Sequence, residues 1–154
     1  MDLTLPLDHA AIERILLHRY PFLLVDRVIE LEIDKRIVGI KNISRNDHYL
    51  SHEASGASVF PPTLLTEAIA QVGAILILAK PENRRRLPLL AGIKRFRYRR
   101  PVRPGDVLEM EAHVVRLGSR MGVLAGVARV NGKIVADGTM TCALGPAQSQ
   151  TSGG

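Results

Sequence analysis

Residues 61–79 read PPTLLTEAIAQVGAILILA, and the reading of that run decides the fold. Two prolines punctuate its entry, where proline fits the first turn of a helix because the missing N–H would have no partner there. Pro81 marks its end. Between them the chain is apolar on nearly every side, with Glu67 and Gln71 as the polar exceptions. A helix of this kind either crosses a bilayer or forms the buried centre of a soluble fold. Thr63 to Ala79 falls short of the roughly 20 apolar residues that a span requires. The run is therefore expected to be a buried helix, with no membrane span.

Everything around the helix reads as strand. Before it, Asp8 is placed to cap a short helix carrying Ile12, Ile15 and Leu16, which Pro21 brings to a close. Phe22 to Ile33 and Arg36 to Ile43 follow as β-branched runs. A polar stretch from Ser44 to Phe60 lacks periodicity and reads as a loop. After the basic linker Arg84 to Arg86 come strand candidates at residues 89–100, 107–117 and 123–130. Asn131-Gly132 is a strong hairpin signal, since both residues tolerate the positive φ of a type I′ turn. It launches a last strand, residues 133–144, and Gly145 to Gly154 reads as a disordered tail. One long apolar helix and a set of antiparallel strands that must bury it make an α+β domain over residues 1–144.

Composition agrees with one globular domain. The chain has 154 residues, of which 46% are hydrophobic. Cys142 is the sole cysteine, so no internal disulfide forms. The first residues lack a basic region followed by an apolar core, and cytoplasm is the expected compartment. The formal charge is +6 and the pI near 10.0. Many bases gather between Arg84 and Arg103, where Phe96 and Tyr98 alternate with Arg97 and Arg99 as on a strand with one basic face. A nucleic-acid module or stacking platform is missing, which argues against nucleic acid. His48 and His52 have no His or Cys at ligand spacing, so neither metal nor cofactor is expected.

Residues 46–71, NDHYLSHEASGASVFPPTLLTEAIAQ, give the functional lead. The segment resembles the active-site stretch of the bacterial 3-hydroxyacyl-acyl-carrier-protein dehydratases of the FabZ type, which have the hotdog fold. That family carries Gly-His-Phe-Pro-Gly-x-Pro-x-x-Pro-Gly and then Glu-Ala-x-Ala-Gln. The similarity extends to HRYPFLLVDR at residues 18–27, to AGI at 91–93, to RRPV at 99–102 and PGD at 104–106, and to GVA at 126–128. It covers most of residues 15–144. The resemblance implies an antiparallel sheet wrapped around the central helix and an acyl thioester substrate on an acyl carrier protein. It also implies a homodimer, in some members a trimer of dimers, whose catalytic His and carboxyl come from opposite subunits.

Removal of water from a 3-hydroxyacyl thioester needs three groups. A base takes the proton from carbon 2, an acid protonates the departing 3-hydroxyl, and a donor meets the thioester oxygen as charge gathers there. By resemblance Glu67 is the acid, and Gln71, one helical turn on, is placed to orient it. Without gaps, the family's catalytic His falls on Glu53 and the helix-opening glycine on Pro62. His52 reaches the base position only if the loop slips by one residue, and His48 lies further off. Pro62 has no N–H to offer, leaving Thr63 as the neighbouring donor. Three readings stand open: a dehydratase slowed or silenced at these positions, a non-catalytic acyl-binding or assembly partner of an active dehydratase, and a hotdog thioesterase.

Overall fold

The structure is a computed structural model that describes residues 3–147. Helix α1 (His9–Glu13) is capped as expected, the Asp8 carboxylate accepting from the Ala11 N–H at 2.8 Å. Strands β1 (Arg27–Glu32) and β2 (Arg36–Asn42) come next, then two very short strands, β3 (Ser51–His52) and β4 (Ser58–Val59). The long helix α2 spans Pro62–Leu78, and a 3-10 turn at Pro81–Asn83 follows it. Four long strands complete the chain: β5 (Arg86–Tyr98), β6 (Val107–Leu117), β7 (Met121–Val130) and β8 (Lys133–Ala147).

Six strands form one antiparallel sheet in the order β1-β2-β6-β7-β8-β5. Alternation along each strand decides which side faces α2. On β6, Leu108, Met110 and Ala112 are sealed in the core, and Glu111 between them points to the other face. The helix meets the sheet with Leu65, Ile69, Val72, Ile75 and Leu76, all but excluded from water. This is the hotdog architecture, and no helix among the described residues is long and apolar enough to cross a membrane.

Close approach of helix to sheet depends on Gly126, and its cross-strand partner Gly138 lets β8 sit close under Phe96 of β5. A Cβ on Gly126 would stand 2.4 Å from a methyl of Ile69, and one on Gly138 would stand 2.7 Å from the Phe96 Cα. The Asn131-Gly132 turn has φ of 49° and 74°, the left-handed pair foreseen for the hairpin.

Several boundaries differ from the sequence reading. β1 begins at Arg27, not Phe22, because the helix intercepts the backbone just before it: Gln71 takes the Leu24 N–H and the Phe22 carbonyl. β5 starts at Arg86, so the expected linker is shorter. β8 continues to Ala147, paired with Arg86, so the strand claims residues 145–147 expected in a disordered tail. The rest of that tail lies outside the described residues.

On the face away from α2, Glu111 accepts from Arg36 Nε at 2.9 Å and Arg129 Nη1 at 3.0 Å, with His113 Nδ1 at 3.2 Å. Burial pushes its carboxyl up, but the two guanidinium hydrogen bonds outweigh that and hold it below the ordinary carboxylate range. A depressed folded value means a contribution that is complete above the unfolded carboxylate range and lost as pH falls through the folded value. Glu111→Gln is expected to flatten the acid limb of stability against pH, measured by urea denaturation from neutral to acid pH. Gly138→Ala is expected to destabilise the fold by about 1–3 kcal/mol through overpacking against Phe96, read as a lower urea midpoint at unchanged slope.

Candidate active site

Of the residues singled out from sequence, Glu67 and Gln71 line one cavity and Glu53 and Pro62 a second. The first, of about 130 Å³, is lined by Glu67, Gln71, His18, Leu89, Leu90 and Cys142, among others. Glu67 lies on the partly open side of α2. Gln71 is one turn further on and is 1% exposed. Its amide is oriented by the backbone: Oε1 accepts from the Leu24 N–H at 2.8 Å, and Nε2 donates to the Phe22 carbonyl at 2.9 Å. The remaining amide hydrogen goes to Glu67 Oε1 at 2.9 Å. Since Oε1 is committed as an acceptor, an acidic proton on this carboxyl belongs on Oε2.

His18 completes the first cavity, and sequence reasoning gave it no role. Its Nε2 stands 3.5 Å from Glu67 Oε1, and its Nδ1 is buried without a partner among the described residues. An Nδ1–H would be an unsatisfied buried donor, so the arrangement favours the tautomer with its hydrogen on Nε2, toward the carboxylate. No helical or strand period links residues 18 and 67; the Gln71 bonds to Phe22 and Leu24 bring the two segments together. Burial pushes the Cys142 thiol up, which leaves it a poor nucleophile.

A second cavity, of about 350 Å³, lies at the α2 N-terminus and includes Glu53, Phe60, Pro62, Tyr98, Arg99 and Arg100. The loop before α2 is a hairpin in which Ser51 faces Val59 and His52 faces Ser58. Beyond that pair the Glu53 N–H bonds to the Ala57 carbonyl, and Gly56 turns the chain at φ 81°. Glu53 thus sits at the hairpin end, its Oε2 accepting from Arg103 Nη2 at 2.9 Å. His52 is exposed on β3 and lines neither cavity. His48 stacks edge-on against Tyr49 at 5.2 Å. Pro62 is the first residue of α2, and Thr63 beside it is exposed, with a first-turn N–H that has no acceptor inside the helix.

Within one chain, then, Glu67 and Gln71 share a cavity with His18, and Glu53 and Pro62 share another with Tyr98. Among the described residues no group of three His, Cys, Asp or Glu side chains is arranged to hold a metal ion. Gln71→Leu would leave the Leu24 N–H and the Phe22 carbonyl unpaired in the interior. It is expected to cost about 1–3 kcal/mol for each such group, measured by urea denaturation.

Comparisons with known proteins converge on one family. The model of the FabA-like domain matches residues 16–139. The 3-hydroxyacyl-[acyl-carrier-protein] dehydratase FabZ of Moorella thermoacetica is 48% identical over 139 residues, 90% of this chain and 97% of that one. Its counterpart in Geobacillus thermodenitrificans is 45% identical over 139 residues, 90% of this chain and 96% of the relative. Among solved structures, the dehydratase heterocomplex ApeI:P from Xenorhabdus doucetiae superimposes with a TM-score of 0.74 at 19% identity, covering 91% of this chain and 92% of that one. The smu.793 protein of Streptococcus mutans UA159, bound to acetyl CoA, superimposes with 0.62 at 12% identity, covering 79% and 90%; these two likenesses concern the fold. With a family model over most of its length and relatives approaching half identity, the chain belongs to the 3-hydroxyacyl-acyl-carrier-protein dehydratase family.

Proposed function

We propose that the protein binds acyl thioesters presented by an acyl carrier protein and dehydrates 3-hydroxyacyl thioesters to 2-enoyl thioesters, at a rate reduced by the replacements at positions 53 and 62. The observation that carries this reading is the clamped Glu67: a carboxyl that lines a cavity with one oxygen fixed by Gln71 is positioned for proton transfer to a leaving hydroxyl. In the reaction the carbon 2 proton passes to the base, the carbon 3–oxygen bond breaks, and Glu67 protonates the departing hydroxyl to give water. The base position holds Glu53. Its tie to Arg103 draws it away from proton abstraction. His52 takes that duty only after the hairpin shifts by one residue.

Two copies of the chain complete the site. β5 is a 13-residue edge strand with Leu87, Leu89, Leu90, Ile93 and Tyr98 exposed along it. An open, apolar edge of that length is a template for pairing with another strand. Leu89 and Leu90 border the Glu67 cavity and Tyr98 the Glu53 cavity, so pairing along β5 would bring one chain's acid toward its partner's hairpin. A homodimer is the proposed unit, and trimers of it the next order. Arg100 at the second cavity supplies positive charge for an acidic carrier, while its neighbour Arg99 is paired with Asp137. The same edge favours a second reading, in which the partner is an active dehydratase chain that contributes the imidazole and glycine amide. A thioesterase has less support: the Cys142 thiol is held high by burial, leaving only water activated by Glu67.

Supplying the protein with a 3-hydroxyacyl thioester on carrier protein, and following enoyl absorbance and free thiol separately, tests the reading. Slow enoyl formation that disappears in Glu67→Gln is expected. Glu53→His with Pro62→Gly is expected to raise the rate by roughly 10²–10⁴, the worth of a positioned general base. Thiol release would indicate hydrolysis. Binding with neither product, and activity only after mixing with a second dehydratase chain, would establish the assembly role instead.

A further inference from the structure

Tyr98 brings a hydroxyl to the second cavity, and that hydroxyl is tied to a buried threonine on α2. Thr66 Oγ1 and Tyr98 OH lie 2.6 Å apart, joining α2 one turn past Pro62 to the end of β5. Two hydroxyls bring two O–H hydrogens to this contact and share one hydrogen bond. Among the described residues neither oxygen has another partner, so one O–H remains uncommitted. Burial decides which. Thr66 is 3% exposed, so an idle hydrogen there would be an unsatisfied donor shut away from water. Tyr98 is 45% exposed and lines the cavity with Pro62 and Glu53. The arrangement without a buried orphan has Thr66 donating to the Tyr98 oxygen and the Tyr98 O–H turned into the cavity.

We propose that the Tyr98 hydroxyl, oriented by Thr66, donates a hydrogen bond to the thioester carbonyl oxygen and so replaces the amide that Pro62 lacks. Tyr98 keeps its proton throughout: carbon 2 loses its proton to the base, electron density gathers on the thioester oxygen, and the phenol meets that charge through a hydrogen bond. A phenol suits the task because it brings a donor on a rigid side chain, fixed at its tip by a buried partner. The inference rests on the acyl-thioester reading above and deepens it by naming the group that faces the carbonyl.

The probe is crotonyl-pantetheine carrying ¹³C at the thioester carbonyl, bound to the full chain and followed by isotope-edited infrared spectroscopy. In Tyr98→Phe the bound carbonyl band is expected to move to higher frequency, because a hydrogen bond has been lost. Affinity is expected to weaken by roughly 2–13-fold, the worth of one neutral hydrogen bond. Dehydration of the 3-hydroxy thioester is expected to fall on the order of 10²-fold in kcat, with KM raised by no more than the affinity loss. Thr66→Val, which keeps volume and removes the orienting hydroxyl, is expected to move the band part of the way. It carries the test if Tyr98→Phe fails to fold. Pro62→Gly placed in the Tyr98→Phe background is expected to restore both band and turnover, an outcome that loss of packing would not give. A bound thioester whose carbonyl band is the same with and without the phenol would overturn the role of Tyr98 and leave the acyl-thioester reading standing. Failure of the wild type to bind the probe at all would overturn both.

Discussion

Gln71 is the joint on which this molecule turns. It is a polar side chain in the middle of an otherwise apolar helix, and its amide has no access to water. Such a group is tolerated only with its hydrogen bonds made, and Gln71 makes three. Two go to the backbone at residues 22 and 24 and one to Glu67. The first two end what would otherwise be a longer strand and press the HRYPF segment against the helix. His18 reaches Glu67 as a result, and the carboxyl is left with a single free oxygen.

The split of the site residues between two cavities follows from the helix they straddle. Glu67 and Pro62 are five positions apart on α2, too far round and along for their side chains to share one face. The loop residue at position 53 folds back beside Pro62, not beside Glu67, because the β3–β4 hairpin and the Glu53–Arg103 ion pair hold it there. The edge strand β5 borders both cavities, with Leu89 and Leu90 at the first and Tyr98 at the second.

Glu53 is paired with Arg103, and Pro62 opens α2 without an N–H to offer. Tyr98 adds a hydroxyl to the same cavity, hydrogen-bonded to Thr66. The core itself depends on Gly126 and Gly138 and on the apolar stripe of α2.

Much of the fold was legible in the chain. The helix at 62–78 followed from the length of an apolar run bounded by prolines, the β7–β8 hairpin from Asn131-Gly132, and the Asp8 cap from one side chain at one turn. These are local rules, governed by backbone angles and by hydrogen bonds a few residues apart. The motif around Glu67 and Gln71 was legible for the same reason, since i and i+4 share a helix face. The tertiary structure alone decided that Gln71 would intercept the strand at residues 22–24, that His18 would meet Glu67, and that Glu53 would pair with Arg103. It alone decided, too, that Thr66 would meet Tyr98 across 32 positions. Those contacts join residues with no common period, and they form only because burying the helix folds the sheet around it.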